Sequence, residues 1–294
     1  MASWKPLVVI ALTLVPTGLA AQVDWKQVEQ AFGRTGAMLP GDVYRVAFPR
    51  ADLHVTVNGV VVLPALALGS WVALKQTGDD EAMLMGDLVL LESEIERVID
   101  KLQESGIEQT AVHNHLRHES PHVLYMHIAG GGAPAKLAAS VRAALAVTNT
   151  PLAPPTAPSA PASTSLDTAL IAQTLGYHGR MNGGVYQVAV ARAEPVTVGG
   201  MDVPPGMGVA TAINFQPTAG GKAAVTGDFV LIESEVNPVI RALRSNGIDV
   251  TALHSHMLGE TPRLFFMHFW GDKDALDLAH GLRAALERMN VKKG

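Results

Sequence analysis

The chain has 294 residues, a formal net charge of −5 and no cysteine. The acidic balance gives no basic footprint, which argues against nucleic acid as a partner. The lack of cysteine excludes a disulfide framework, so the stability of the fold must come from packing. Apolar residues make up 48% and charged residues 17% of the chain, and this composition predicts a compact globular protein.

Residues 1–21 have the pattern of an export signal. Lys5 supplies the positive n-region, Leu7 to Val15 forms the apolar h-region, and residues 18–20 form a small-x-small cleavage site. We expect cleavage near Ala20/Ala21 and a mature protein that is periplasmic or secreted, with no transmembrane segment. The apolar run is too short for a spanning helix, and an uncleaved N-terminal anchor is the alternative. Without cysteine, the chain is not expected to be a lipoprotein.

The mature chain contains one sequence twice, at a constant offset of 141 residues. When residues 86–128 are aligned without a gap on residues 227–269, 20 of 43 positions are identical. Each copy, of about 125 residues, is long enough to bury its own core. The predicted organisation is a signal peptide at 1–21, a first repeat at 22–147, a Pro/Ala/Ser/Thr linker at 148–165 and a second repeat at 166–294.

The first half of each repeat predicts a helix followed by an antiparallel meander. The helix covers Val23 to Phe32 in the first copy and Leu166 to Leu175 in the second, and a glycine follows each. Short β-branched runs come next, with Asn58-Gly59 and Gly199-Gly200 as tight-turn signals.

The second half of each repeat has a different pattern. A strand leads into a helix, at Glu94 to Glu104 and at Glu235 to Ser245, and two histidine-bearing strands follow. Closing helices are predicted at Pro134 to Val147 and at Asp272 to Met289. This β-α-β-β-α order is typical of a ferredoxin-like or related unit. The predicted fold class is therefore α+β, with two tandem homologous domains that pack face to face as a pseudo-dimer.

A constellation of three histidines and one glutamate recurs in both copies. Its members are His113, His115, His127 and Glu119 in the first copy, and His254, His256, His268 and Glu260 in the second. On a strand, His254 and His256 point to the same face because they are two residues apart. If the chain folds back after them, His268 falls on that face and diagonal to His254. The glutamate then lies over the end of the hairpin.

Three imidazoles and one carboxylate suit a divalent first-row metal, with zinc favoured and one position left for water. We therefore predict that the six histidines bind a divalent metal or a small ligand. If the site is catalytic, the pattern favours metal-assisted hydrolysis with Glu119 and Glu260 as general bases. The alternative is a non-catalytic envelope module that binds a cell-envelope component and whose histidines are structural. The spacing His-x-His-x3-Glu also resembles the first cupin metal motif, but Met126 and Met267 stand where cupins have a glycine, so a cupin is the second candidate fold.

Other polar motifs predict local roles. The runs Glu92-Ser93-Glu94 and Glu233-Ser234-Glu235 are interpreted as helix caps, and Ser93 with Glu96 forms a predicted capping box. His118 and His122 occur in the first copy alone and are assigned to a solvated turn. His54, His178 and His280 have no counterpart in the other copy, and the chain has no Gly-x-Ser-x-Gly nucleophile motif.

The block from Gly227 to Pro238, together with Gly247 to Trp270, resembles the LppY/LpqO family of exported bacterial proteins of unknown function. The resemblance extends over both copies. It implies export and a duplicated domain, and it brings no established activity or catalytic residue. Some members of that family are lipoproteins, a property that the missing cysteine does not allow here.

Overall fold

The computed structural model describes residues 22–153 and 166–294. The predicted signal peptide at 1–21 lies outside the described residues, as does the 154–165 part of the predicted linker. Within the described ranges, no helix combines the length and the apolar character needed to span a membrane.

The first repeat contains four helices and nine strands within its described part. In chain order they are α1 (Trp25–Phe32), β1 (Ala37–Leu39), β2 (Val43–Pro49), β3 (Thr56–Val57), β4 (Val60–Val61), α2 (Pro64–Ala67), β5 (Gly69–Gly78), β6 (Glu81–Leu91), α3 (Ile95–Gln103), β7 (Glu108–His113), β8 (Glu119–Ser120), β9 (Val123–Gly132) and α4 (Pro134–Leu145).

The second repeat follows the same order, with a short 3-10 helix at Pro205–Met207 in the place of α2. Its elements are α5 (Thr168–Leu175), β10 (Arg180–Asn182), β11 (Val185–Ala191), β12 (Thr197–Val198), β13 (Met201–Asp202), β14 (Ala210–Pro217), β15 (Lys222–Leu231), α6 (Glu233–Ser245), β16 (Asp249–His254), β17 (Glu260–Thr261), β18 (Phe265–Asp274) and α7 (Ala275–Leu286).

Each repeat forms one six-stranded antiparallel sheet, in the order β1-β2-β5-β6-β9-β7 and β10-β11-β14-β15-β18-β16. Two small three-stranded sheets, β4-β3-β8 and β13-β12-β17, complete the fold. The prediction of two homologous α+β domains with antiparallel sheets is confirmed, whereas the finer ferredoxin-like assignment stays a prediction. The closing helix of the second repeat starts later than predicted, because β18 continues to Asp274, which caps α7.

Strand periodicity assigns the two faces of each large sheet to different partners. In β6, Leu84 and Leu88 pack with the helices of their own repeat, whereas Met85 packs with residues of the other repeat. In β18, Met267 faces its own helices and Phe266 faces the first repeat. Because successive side chains point to opposite faces, each repeat has a helix-covered face and a face that packs against the other repeat.

Polar side chains also join the two repeats. The amide of Gln216 donates to Val61 O at 2.6 Å and accepts from Leu63 N at 2.9 Å. Thr110 Oγ donates to His256 O at 2.5 Å, and Thr251 Oγ donates to His115 O at 2.5 Å. These two threonine bonds are reciprocal under the 141-residue offset, so the repeats pack as a pseudo-symmetric pair.

A buried arginine–glutamate pair fixes the start of the helix after the central strand in each repeat. Arg50 Nη1 lies 2.7 Å from Glu94 Oε2, and Arg192 Nη1 lies 2.6 Å from Glu235 Oε2. Glu94 also accepts from Leu91 N at 2.9 Å. The predicted capping role of these glutamates is confirmed, but the predicted box of Ser93 with Glu96 is wrong, because Glu94 occupies the capping position.

Candidate metal centre

The register of the last strands brings the three histidines of each repeat to one face. In the second repeat, His254 pairs with Phe266 and His268 pairs with Ala252, so His268 lies diagonal to His254. The first repeat has the same arrangement, with His127 opposite Ala111. A bulge interrupts the register at Thr110 and at Thr251, the threonines that bond to the other repeat.

The two histidine sets meet in a single cluster between the repeats. The sequence predicts a site in each repeat, but both sets lie on the faces that pack together. The closest pairs of imidazole centroids belong to different repeats: 3.6 Å for His113–His254, 3.6 Å for His127–His256 and 3.7 Å for His115–His268. We call this group the histidine cluster; it consists of His113, His115, His127, His254, His256 and His268.

Aromatic rings cover the cluster from two sides. Tyr125 stacks on His115 with ring centroids 3.3 Å apart, and Phe266 stacks on His256 at 3.5 Å. Tyr125 and Phe266 are equivalent under the 141-residue offset, so this position distinguishes the two halves. The Tyr125 hydroxyl donates to Ala67 O at 2.9 Å and therefore points away from the histidines.

Backbone carbonyls orient most of the imidazoles. His113 Nδ1 lies 3.1 Å from Asn114 O, and His268 Nδ1 lies 2.8 Å from Gly227 O. His127 bonds to the carbonyl of Gly86, and His256 to that of Gly208. A hydrogen bond at one ring nitrogen fixes the tautomer and leaves the other nitrogen as a lone-pair donor, which is how metal-binding histidines are usually held.

The other ring nitrogens of the cluster are buried and unpaired. Within the described part of the chain, Nε2 of all six cluster histidines lacks a hydrogen-bond partner, and so does Nδ1 of His254. Buried polar atoms are nearly always hydrogen-bonded in folded proteins, so a convergent set of unpaired ones needs an explanation.

Two aspartates complete the polar set. Asp228 Oδ2 lies 3.1 Å from His256 Nε2, without the alignment of a hydrogen bond, and Asp228 Oδ1 lies 3.8 Å from His268 Nδ1. Asp87 lies 3.8 Å from His115 Nε2 and 4.0 Å from His127 Nε2. Oδ1 of each aspartate is buried and has no hydrogen-bond partner in the described part of the chain.

Burial dominates the electrostatics of the aspartates. Burial raises the pKa of Asp87 to about 8; the charge of Asp228 adds to this rise, and Arg45 opposes it. Burial also raises the pKa of Asp228 to about 6, against the opposing effects of His268 and the backbone amide of Met267. Each carboxylate therefore lacks a cation strong enough to offset its desolvation.

Burial has the opposite effect on the histidines. It lowers the pKa of His113 to about 4, although the carbonyl of Asn114 opposes the shift. Burial, followed by the charges of neighbouring histidines, lowers the pKa of His115, His127 and His254. The imidazoles are therefore neutral at neutral pH, which is the form that binds metals.

The donor atoms of the cluster fall into two overlapping groups. In each group, one ligand atom per residue lies within 4.8 Å of the others. The larger group is His113, His254, His256 and His268, and the smaller is His113, His115 and His127. A cavity of about 20 Å³ adjoins His127 and His256 and has room for one water-sized ligand.

The two predicted general bases lie in other surroundings. Glu119 and Glu260 belong to β8 and β17, which pair with β3 and β12 in the small sheets. Glu260 accepts from Arg263 Nη1 at 3.1 Å and from Leu264 N at 2.9 Å. Glu119 Oε1 lies 3.0 Å from His122 Nδ1, so His122 has a structural contact in the turn. Their role as general bases stays a prediction.

The sequence interpretation missed Asp87 and Asp228. Both stand at the head of the repeated block, in Gly86-Asp87 and Gly227-Asp228. Asp87 pairs with His127 across β6 and β9, and Asp228 pairs with His268 across β15 and β18. The available signal was a duplicated aspartate in an otherwise apolar strand, since such strands rarely bury a carboxylate without a partner.

A comparison with curated proteins finds no match. Among solved structures, the chain is similar to the trimeric bacterial microcompartment shell protein PduB, with 15% identity and a TM-score of 0.23 over 87% of this chain and 90% of that one. It is also similar to EtuB from Clostridium kluyveri, with 11% identity and a TM-score of 0.19 over 85% of this chain and 90% of that one.

A family model described as Domain of Unknown Function (DUF1259) matches the chain twice, at residues 26–147 and 169–288. The two matches correspond to the two repeats and together cover most of the chain. The protein therefore belongs to the DUF1259 family and carries the family's domain in two copies.

Proposed function

We propose that the protein binds a divalent transition metal, with zinc favoured, at the histidine cluster. One observation carries the proposal: six imidazoles from both repeats converge, and the Nε2 atom of each is buried without a partner among the described residues. Neutral imidazole suits zinc, copper and nickel, and the carboxylates of Asp87 and Asp228 are compatible with the same ions.

Unpaired buried polar groups destabilise a fold. Each buried donor or acceptor without a partner costs about 1–3 kcal/mol. A metal ion would satisfy several of these nitrogens at once. The carbonyls that hold His113 and His268 already select the tautomers that such an ion requires.

Metal-assisted hydrolysis is the reaction class that we propose for this centre. A bound divalent ion would supply Lewis acidity and a lowered pKa for its water ligand. Glu119 and Glu260 remain the proposed general bases on sequence grounds. Asp87 and Asp228 are the carboxylates that contact cluster histidines.

Elemental analysis of the full chain, purified without an affinity tag, tests metal binding. We expect at least one equivalent of a transition metal, and its loss when His254 and His268 are both replaced by glutamine. The matched control replaces the exposed His178 and His280 by alanine and should retain the metal. Less than about a tenth of an equivalent, with no binding on titration, would reject the proposal.

A second candidate is a non-catalytic envelope module, which would bind a cell-envelope component and use the histidines to join its repeats. The bonds from Thr110 and Thr251 across the interface, and the stacked pairs of histidines from different repeats, favour this function. For this module, the glutamine variant of His254 and His268 lowers thermal stability, and neither it nor the wild type contains metal.

We also propose export, on the signal pattern at 1–21, and membership of the LppY/LpqO family, on the repeated histidine block. N-terminal sequencing of the protein from a fractionated cell tests export. A mature chain that starts near Ala21 or Gln22 supports it, and a chain that retains Met1 rejects it.

A further inference from the structure

We infer that the histidine cluster is a two-ion centre in which Asp87 and Asp228 are the carboxylate ligands. The inference rests on the proposed metal binding. It adds that two ions bind, that Asp87 and Asp228 are the carboxylate ligands, and that the two ions are close to each other.

The number of unpaired donors exceeds the capacity of one ion. The Nε2 atoms of six imidazoles and the Oδ1 atoms of Asp87 and Asp228 are buried without a partner in the described part of the chain. A tetrahedral zinc ion takes four ligands, and an octahedral ion takes six. One ion would therefore leave at least two of these eight donors buried and unsatisfied, and four of them in the zinc geometry.

The convergent imidazoles fall into two halves that share His113: His254, His256 and His268 complete one, and His115 and His127 complete the other. Asp87 lies beside His115 and His127, and Asp228 lies beside His256 and His268. Each half therefore consists of at least three imidazoles with one carboxylate beside it. Such a set fits one four-coordinate ion.

The two halves are adjacent. His113 belongs to both groups of convergent ligand atoms, and its ring stacks on that of His254 with centroids 3.6 Å apart. Two ions would therefore be neighbours on either side of this pair, as in two-metal centres, whose ions are about 4 Å apart. Their positive charge would also offset the two buried carboxylates, whose nearby charges otherwise repel each other.

Titration of the metal-free full chain tests the stoichiometry. We expect calorimetry and visible absorption to give two Co²⁺ ions per chain. With two equivalents of Cu²⁺, the electron paramagnetic resonance spectrum should show dipolar coupling and a half-field transition. Neither measurement requires a variant that might fail to fold.

Conservative variants test the carboxylates. Asp228→Asn should weaken binding of one Co²⁺ by at least about tenfold, the loss that even an outer-sphere partner causes. Asp87→Asn should weaken the other, and Asp228→Glu should restore part of the lost affinity. Asp100→Asn, at an exposed position of α3, is the matched control and should bind two ions.

The outcomes separate this inference from the proposed function. One ion per chain, or two ions without magnetic coupling, would overturn the two-ion centre and leave metal binding intact. Two coupled ions that are unaffected by both asparagine variants would overturn the role of the aspartates. No binding of either metal would overturn metal binding itself.

Discussion

The buried Arg50–Glu94 pair and the histidine cluster are both polar and enclosed, yet they differ in one property. Every donor nitrogen of Arg50 has a partner: Asp52, Glu94 or the carbonyl of Val89. The histidine cluster instead leaves at least one nitrogen of each ring unpaired among the described residues. A polar network whose hydrogen bonds are all made can be explained by a structural role. A convergent set of buried donors without partners indicates a ligand.

The largest effect is expected where a satisfied network is broken. Arg50→Met leaves the buried carboxylate of Glu94 without its cation and should lower the free energy of unfolding by about 3–5 kcal/mol. Urea denaturation measures this change. Arg97→Met, at an exposed position of α3, is the control and should change the free energy by less than about 0.5 kcal/mol. Equal effects of the two variants would show that the pair has no structural role.

The next largest effect distinguishes the histidine cluster from the arginine pairs. A metal that binds only the folded chain should raise the free energy of unfolding by about 2.7 kcal/mol at a concentration 100 times its Kd. The thermal midpoint of the wild type should therefore rise with Zn²⁺. The thermal midpoint of the variant with His254→Gln and His268→Gln should not change with Zn²⁺. The midpoint of Arg50→Met should be lower than that of the wild type without metal but should still rise with Zn²⁺. A rise in the double variant would place the metal elsewhere.

The stability of the metal-free protein should also depend on pH, because the histidine cluster contains buried imidazoles. Burial lowers the pKa of His113 to about 4, so the unfolded chain binds this proton at a higher pH than the folded chain. The folded state therefore keeps its full stability above pH 6.5. As the pH falls from 6.5 toward 4, each such histidine lowers the free energy of unfolding by about 1.4 kcal/mol per pH unit.

Asp87 and Asp228 oppose this trend, because burial raises the pKa of both in the folded chain. Six histidines outnumber two aspartates, so the net effect should be a loss of stability below pH 6.5. Thermal melts in chelator between pH 7.5 and pH 5 measure it. The slope should be shallower in His113→Gln, and an unchanged slope would contradict the assignment.

The smallest effect concerns the interface that brings the cluster together. Thr110→Val and Thr251→Val each remove one hydrogen bond between the repeats and should cost about 1 kcal/mol. Urea denaturation of the single and double variants measures the cost. Because the two threonines bond to carbonyls of His256 and His115, the double variant should also weaken metal binding. Unchanged affinity would show that the cluster does not depend on these bonds.

Much of the fold and part of the site could be predicted from the sequence. The 141-residue offset predicts two homologous domains, and strand periodicity predicts that His268 lies diagonal to His254. Both are properties of local order: a repeat is visible in the residues themselves, and the two-residue period of a strand fixes which side chains share a face. The predicted start of the last helix at Asp272 is wrong, because β18 extends to Asp274 through residues that also suit a helix start.

The convergence of the two sets depends on tertiary structure. Nothing in the spacing of His113 and His254 requires their rings to meet, because that contact depends on how two sheets pack. Glu119 is close to His115 in sequence, but its strand β8 pairs with β3 in a small sheet. Asp87 is distant in sequence, but it lies opposite His127 across β6 and β9 and so contacts the cluster. The sequence by itself determined which histidines share a face; only packing between the repeats decided that both faces line one centre and which carboxylates join it.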